Sequence, residues 1–237
     1  LTLVICGSGF TGAETVGELI DYKKTLAAQN KLDPSEIKII LVEAAPTITN
    51  MLDRTNAAHE EAYLKKNGVD IRTSSAITKV NADSVEIKEQ DPIKTYTLIW
   101  TAGVKTNHTA DEFGIDAGRG GRLVVNKYLQ ADGLEDKSVY VAGDDANATA
   151  EGAERAVPQT AQEAENEASV SAANIAADIN GDQNYTEFTD KNMGFTVSFG
   201  SRYGIAQVFG GKRVRGWIAT IMKHGSNFLY FKRIGSL

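Results

Sequence analysis

The chain has 237 residues, 42% of them hydrophobic and 24% charged, with one cysteine and a formal net charge of −6. That length supports a packed core and two domains. The composition excludes a disulfide scaffold and a C-x-x-C dithiol centre, and no apolar run of about 18 residues exists to span a membrane. No metal-ligand cluster includes Cys6, and no metal is expected. The charge is uneven: residues 191–237 hold eight Lys or Arg and no Asp or Glu, so the first 190 residues carry a net −14. A basic end on an acidic body suits an anionic partner surface, lipid or nucleic acid.

Leu1 to Cys6 reads as a buried parallel strand, with Cys6 a small interior hydrophobe. It runs into Gly7-x-Gly9-x-x-Gly12, after which Ala13, Val16, Gly17 and Ile20 recur at helical spacing. Gly17 would let that helix lie close to the sheet. KLDPSE is a loop broken at Pro34; Ile37–Val42 is a second strand ending at Glu43. A helix over about Thr55–Lys66 closes at Asn67-Gly68, and Val69–Arg72 is a third strand. AITKV, SVEIKE and KTYTLIW predict an antiparallel flap that returns to a buried strand at Leu98–Thr101, with a boundary near Asn107. Leu123–Leu129 and Val139–Ala142 read as strands of a second part, followed by a helix over about Gln159–Ile179 that ends at Asn180-Gly181. Phe195, Val197 and Phe199 then alternate, and Ile205–Phe209 and Arg213–Trp217 flank Gly210-Gly211, which predicts an antiparallel sheet. The expected division is 1–106, 107–180 and 181–237.

A lone G-x-G-x-x-G is weak evidence, because turns also use glycine. Here its context is complete: a strand before, a helix after, a strand again, and an acid ending that strand. Gly7 makes the tight turn, Gly9 lets backbone approach a pyrophosphate, and Gly12 lets the helix pack on the strand. N–H groups at the helix start hold the phosphates. Glu43 is the candidate ligand for the adenosine ribose hydroxyls, and it repels a 2′-phosphate. It lies farther from the glycines than the usual ~20 residues, since a longer helix and AAQNKLDPSE intervene. Ala44-Ala45-Pro46 follow, with no Arg, so NAD(H) is favoured over NADP(H). The competing reading of Glu43 is a solvated strand-end acid. Glu14, read in the first turn of the helix, is either an acid favoured by the helix dipole or a functional carboxylate. Gly143-Asp144 ends the apolar run SVYVA; it is either a common turn or the pair whose Asp accepts a hydrogen bond from a flavin's ribityl chain. The amides in Pro158-Gln159-Thr160-Ala161-Gln162 either cap the long helix or face a flavin ring or a quinone carbonyl.

GSGFTGAETVGEL, LVEAAPTI, WTAGV, VYVAGDDAN and PQTAQ, in that order, resemble the type II NADH dehydrogenases. These are single-chain, FAD-containing NADH:quinone oxidoreductases that do not pump protons. The resemblance covers nearly the whole chain, with GFTGAE and TAQ its more specific segments. It implies a Rossmann-like α/β flavoprotein fold that binds two dinucleotides and carries a C-terminal antiparallel β region. On that reading 1–106 is the NADH-binding domain with its flap, 107–180 the returning half of the FAD-binding domain, and 181–237 a C-terminal region with the start of a membrane anchor. It implies that Phe10 and Thr11 join the three glycines in binding cofactor, and that Ala161 joins Gly143 and Asp144. Ala102-Gly103 would line the nicotinamide pocket, Glu14 would lie near the nicotinamide and the quinone, and Gln162 near the flavin and the quinone. One departure is Asn166, where the family pattern A-Q-x-A-x-Q has its second Gln; it keeps an amide with a shorter reach. The family also carries an FAD glycine fingerprint ahead of the NAD one, and this sequence holds a single fingerprint. It is therefore expected to be the later part of a larger enzyme, inactive by itself.

Trp217, Ile218, Ile221 and Met222 can share a helix face, and Phe228, Leu229, Tyr230 and Phe231 form a second apolar cluster among Lys212, Arg213, Arg215, Lys223, Lys232 and Arg233. That composition suits a segment lying in the lipid headgroup plane, at the cytoplasmic face of the cell membrane as the family resemblance implies. The alternatives are packing on its own domain or against a homodimer partner. Nucleic acid is not expected, since no RNA-binding or helix-turn-helix pattern is visible. Two rival functions stay open: another flavoprotein reductase of the same fold, such as an NADH oxidase or an apoptosis-inducing-factor-like reductase, and an NADH-binding module without activity of its own.

Overall fold

The computed structural model describes residues 1–107, 112, 114–191, 194–208 and 211–235, with Arg233 by its backbone alone. The chain divides into two compact units: Leu1–Gly103 together with Met193–Leu237, and Val104–Asn192.

The first unit begins with β1 (Thr2–Cys6), α1 (Phe10–Asn30), β2 (Lys38–Val42), α2 (Arg54–Lys66) and β3 (Val69–Arg72). A flap of β4 (Ile77–Val80), β5 (Ser84–Ile87) and β6 (Gln90–Lys94) then leads into β7 (Thr97–Trp100). The parallel sheet has the order β3-β2-β1-β7, and the flap is a separate antiparallel sheet. Successive strand residues face opposite sides, so an unbroken apolar run means that both faces are covered. Ile5, Ile39 and Leu41 pack on one side with Ala13 and Val16 of α1 and Ala57 and Leu64 of α2. Val4, Ile40 and Val42 pack on the other with Val85, Ile87 and Ile93 of the flap. The expected KLDPSE loop contains one ordered turn, a 3-10 segment Pro34–Glu36 closed by a reciprocal capping box between Asp33 and Glu36. Asp53 caps α2 by accepting the N–H groups of Thr55 and Asn56.

The second unit has its own core of Ile115, Leu123, Leu129, Val141, Val157, Val170 and Phe188. Its regular strands are short: β8 (Leu123–Val124) pairs in parallel with β9 (Ala146–Asn147). The strand expected over Leu123–Leu129 stops early because Asn126 folds the chain. Its side-chain oxygen accepts the N–H groups of Tyr128 and Gln130, which places Leu129 at φ +65°. Val139–Ala142 is correspondingly not a strand; Tyr140 makes one isolated bridge, to Gln130. Helix α3 (Ala161–Asn180) is capped by Thr160 and ends on Gly181 at φ +70°.

The chain then returns to the first unit as β10 (Gly194–Ser198), β11 (Gly204–Val208), β12 (Lys212–Arg215) and α4 (Trp217–Arg233). The three strands form an antiparallel sheet; Phe209 and Gly210, read as strand and turn, lie outside the described residues. Val197, Phe199 and Ile205 complete the core around α1. Gly17 does allow a close approach, but to this second sheet. A Cβ there would stand 2.3 Å from Phe199 Cα. Helix α4 buries Ala219 and Thr220 and exposes Trp217, Ile218, Ile221 and the Phe228–Phe231 cluster. No helix among the described residues is long and apolar enough to cross a membrane.

Candidate functional site

Register builds the site. Cys6 pairs with Val42 on one side and Trp100 on the other, so the glycine loop, Glu43 and Thr101 leave the parallel sheet at one edge. Gly7 has φ +96°, and a Cβ on it would lie 2.7 Å from the Thr101 carbonyl oxygen. A Cβ on Gly12 would lie 1.9 Å from the Gly7 carbonyl oxygen. These two glycines are required by the loop itself. Gly9 is different: a Cβ there meets nothing within 4 Å. That side of the loop is open space. The Thr101 hydroxyl lies 2.8 Å from the Cys6 carbonyl and 3.0 Å from that of Gly7, bracing the loop.

Gly9 is the N-cap of α1 and provides no capping side chain. The first intrahelical bond runs from Ala13 N–H to the Gly9 carbonyl at 2.9 Å. The N–H groups of Phe10, Thr11 and Gly12 therefore have no partner within the helix, which is the arrangement that takes an anionic group. The Phe10 ring turns inward, its centroid 5.3 Å from that of Phe195. Ala102 and Gly103 follow Thr101 at the same edge, both exposed, with Gly103 at φ +98°.

Glu43 is oriented rather than loosely solvated. One carboxylate oxygen accepts the Ser8 N–H at 2.8 Å and the Ser8 hydroxyl at 2.6 Å, and the other accepts the Ala45 N–H at 2.8 Å. Partial burial pushes its pKa up, but the hydrogen bonds from Ser8 and the neighbouring N–H groups outweigh burial and hold it below the usual carboxylate range. Ser8, Ala44 and Ala45 thus hold the carboxylate in one orientation at the end of β2. The nearest strand brings an arginine that the sequence order hid: Arg72 of β3 pairs with Val42. Its guanidinium contacts Asp70 at 3.0 Å through two nitrogens, an exposed pair at the surface of the sheet.

Ser8 is itself buried and continues the network inward. Its hydroxyl accepts the Thr49 N–H at 3.1 Å; the Thr49 hydroxyl lies 2.7 Å from the Ser8 carbonyl and 2.8 Å from Glu60 Oε1. Glu60 on α2 is fully buried. Burial pushes its pKa up to about 8, with Thr49 opposing and Glu61 adding to the rise. Burial likewise raises the Cys6 thiol to about 11, with a contribution from Glu43, so this cysteine is an inert interior group.

Glu14 is the fifth residue of α1, so it stands in the second turn and not in the first as the sequence suggested. Its partners come from the C-terminal segment: Oε1 lies 2.9 Å from Lys223 Nζ of α4 and accepts the Ser198 N–H at 3.1 Å. Both side chains of the ion pair are about a quarter exposed. Neither Ser8, Thr49, Glu60 nor Lys223 was legible as a site residue; each joins the site only through tertiary packing.

The second unit holds the remaining candidates. Asp144 is exposed on a 3-10 turn whose first residue, Gly143, has φ +73°. Two α3-side groups fix that turn: Glu167 accepts the Gly143 N–H and Gln159 donates to the Asp144 carbonyl at 2.9 Å. Burial raises Glu167 to about 7, against the pull of that N–H and of Arg122. Gln159 is thus a brace for the turn, and Thr160, not a glutamine, caps the helix by accepting the Glu163 N–H at 3.3 Å. Ala161 is the first helical residue. Gln162 donates to the Lys191 carbonyl at 3.1 Å, and Asn166 donates to the Thr189 carbonyl at 2.8 Å. The shorter Asn side chain is therefore matched to a backbone acceptor. Among the described residues no group of three or more His, Cys, Asp or Glu could hold a metal ion.

A parallel sheet with a glycine loop entering a helix, an acid ending the next strand, and a second unit with a Gly-Asp turn define a nucleotide-dependent oxidoreductase fold. The family model for pyridine nucleotide-disulphide oxidoreductases matches residues 1–168, and the chain belongs to that family. Among curated relatives, the type II NADH:quinone oxidoreductase of Staphylococcus aureus (strain NCTC 8325 / PS 47) is 31% identical over 226 residues, covering 94% of this chain and 55% of its own length. The Staphylococcus epidermidis protein of the same name is 32% identical over 213 residues, covering 89% and 52%. The chain spans about half the length of the curated relatives it matches. Among solved structures, NDH2 from Plasmodium falciparum in complex with NADH superposes with a TM-score of 0.82 at 16% identity, over 97% of this chain and 62% of that one.

Proposed function

We propose that this chain is the NADH-binding portion, with part of the FAD-binding portion, of a type II NADH:quinone oxidoreductase. The observation that carries the reading is the opening beside Gly9, where a Cβ would meet no protein atom within 4 Å, next to unpartnered helix N–H groups and the oriented Glu43. NADH lies with its pyrophosphate on Gly7, Gly9, Phe10, Thr11 and Gly12 and its adenosine ribose on Glu43, while Ala102 and Gly103 line the nicotinamide end. The exposed Asp144 on its fixed turn fits the ribityl end of FAD, with Ala161 and Gln162 on the flavin side of the second unit. Bound FAD supplies the two-electron chemistry between NADH and a membrane quinone. Glu14, held by Lys223 and Ser198, acts as the charged group beside the nicotinamide and the quinone route. The exposed apolar cluster of α4, in a segment of 47 residues with eight Lys or Arg and no acid, supports peripheral, monotopic attachment at the cytoplasmic face of the membrane, and a second copy of the chain is the competing cover for it.

The test is Gly9→Val in the complete enzyme. Its φ of −61° is open to any residue, so the variant should fold with an unchanged melting temperature, keep its flavin, and lose NADH binding by tenfold or more. Wild-type NADH affinity in that variant would remove the dinucleotide from this loop. Reoxidation by dioxygen at the rate of quinone would favour an NADH oxidase instead.

A further inference from the structure

The fully buried Glu60 is used by nothing described so far, and its contacts pose a counting problem. The Thr49 hydroxyl has one proton and stands within hydrogen-bond distance of two acceptors, the Ser8 carbonyl at 2.7 Å and Glu60 Oε1 at 2.8 Å. If Glu60 is a carboxylate, one of the two buried acceptors lacks a donor. If Glu60 is a neutral acid, its O–H donates to Thr49 and the Thr49 O–H donates to Ser8, so both contacts are satisfied in one direction. The other oxygen, Oε2, is buried with no hydrogen-bond partner, a state that penalises an ionised group far more than a neutral one.

The recipient of this relay is not incidental. Ser8 is the residue between the first two glycines of the fingerprint, and its N–H and hydroxyl both bind Glu43. Thr49 also donates its own N–H to the Ser8 hydroxyl and sits at φ +39°, a conformation that a threonine holds only under constraint. One buried side chain thus touches, through a single threonine, the phosphate loop and the ribose acid together.

We infer that Glu60, as a neutral carboxylic acid, is a positioning residue for the dinucleotide site, acting through Thr49 and Ser8 on the glycine loop and Glu43, so that its ionisation weakens nucleotide binding. The inference rests on the reading that NADH occupies this loop. The charged surroundings agree with a neutral acid. Glu61 on the same helix opposes ionisation, and the exposed His59 precedes it. Asp53 at the start of α2 pairs with Arg213 of β12 at 3.2 Å, and Asp70 on the neighbouring β3 pairs with Arg72. Glu43 lies beyond Ser8. Among the described residues no cation bonds Glu60.

The experiment is NADH titration of the complete enzyme at pH 6.5, 7.5 and 9, for wild type, Glu60→Gln and Thr49→Val, with melting temperatures as a check on folding. With ionisation near pH 8, wild-type Kd should rise about tenfold toward pH 9. Glu60→Gln keeps a permanent N–H donor toward Thr49, so its Kd should equal the wild-type value at pH 6.5 and stay flat. Thr49→Val removes the relay, so its Kd should be raised several-fold at every pH, with the pH dependence gone. A Glu60→Gln enzyme with the wild-type pH profile, or a Thr49→Val enzyme with wild-type Kd throughout, overturns the inference and leaves NADH in the loop. A wild-type enzyme that binds no NADH at any pH overturns the underlying reading as well.

Discussion

Gly17→Ala sets two physical effects against each other with opposite signs. Gly17 lies in the interior of α1, where Ala is favoured over Gly by roughly 0.8–1 kcal/mol. The new methyl would stand 2.3 Å from the Phe199 Cα and carbonyl carbon and 2.4 Å from the Gly200 nitrogen, against about 3.4 Å for ordinary contact. All three are backbone atoms, so no rotamer change relieves them, and α1 must part from the end of β10 by about 1 Å. Over-packing of this kind costs about 1–3 kcal/mol. The shift also pulls on two hydrogen bonds across the same seam, Ser198 N–H to Glu14 at 3.1 Å and Ser201 N–H to Asp21 at 2.6 Å, each contributing about 0.5–1.5 kcal/mol. Packing outweighs propensity, and a net destabilisation of about 1–3 kcal/mol is expected. Urea unfolding followed by circular dichroism gives the sign, and hydrogen exchange at the Ser198 and Ser201 amides localises it. A higher urea midpoint with undiminished protection at those two amides would refute the close-approach argument.

The remaining predictions concern charge. With Glu43 oriented by Ser8 and Ala45, NADH should bind more tightly than NADPH by about 1.5–3 kcal/mol, and Glu43→Ala should narrow the gap; equal wild-type affinities in a titration would remove Glu43 from the ribose. Glu14→Gln in the complete enzyme should keep the fold and lower NADH:quinone turnover tenfold or more, about 1.4 kcal/mol in barrier. Stopped-flow flavin reduction and quinone reoxidation identify the affected half-reaction, and unchanged rates in both would leave Glu14 as a structural partner of Lys223. Glu60 has a folded pKa raised from 4.5 to about 8, so its contribution to stability is fully present below about pH 4.5 and is lost as pH rises toward 8. Glu60→Gln should therefore gain on wild type by about 1–3 kcal/mol between pH 5 and pH 8 in urea unfolding, and identical pH slopes for the two proteins would contradict a buried neutral acid.

The parts of this fold that sequence made legible are those fixed by local chemistry. Val69–Arg72 matches β3, and the glycine fingerprint has the strand and helix on either side that its spacing required. The Asn126 turn was missed because the apolar run LVV continues straight into it, and only the side-chain bonds of Asn126 reveal that the chain bends. The site divides in the same way. Gly7, Gly9 and Gly12 announce themselves through spacing and Glu43 through its place at the end of the second strand, whereas Lys223 reaches Glu14 from 209 positions away and Glu60 reaches Ser8 through Thr49. A buried glutamate on a helix so rich in charge as RTNAAHEEAYLKK reads as one more solvent-facing residue until its burial is seen.

The first unit is assembled from chain segments that are synthesised far apart in time. Glu14 meets Ser198 across 184 positions, and Phe10 meets Phe195, while the second unit, Val104–Asn192, is one contiguous stretch. The entropic cost of joining distant segments grows only logarithmically with their separation, so equilibrium tolerates the arrangement well. Synthesis does not treat it so evenly. As the chain leaves the ribosome, the flank of α1 around Gly17 must wait for Phe199, 182 positions later in the sequence, and stays open to water until then. Apolar surface left open during such an interval is the condition under which aggregation competes with folding.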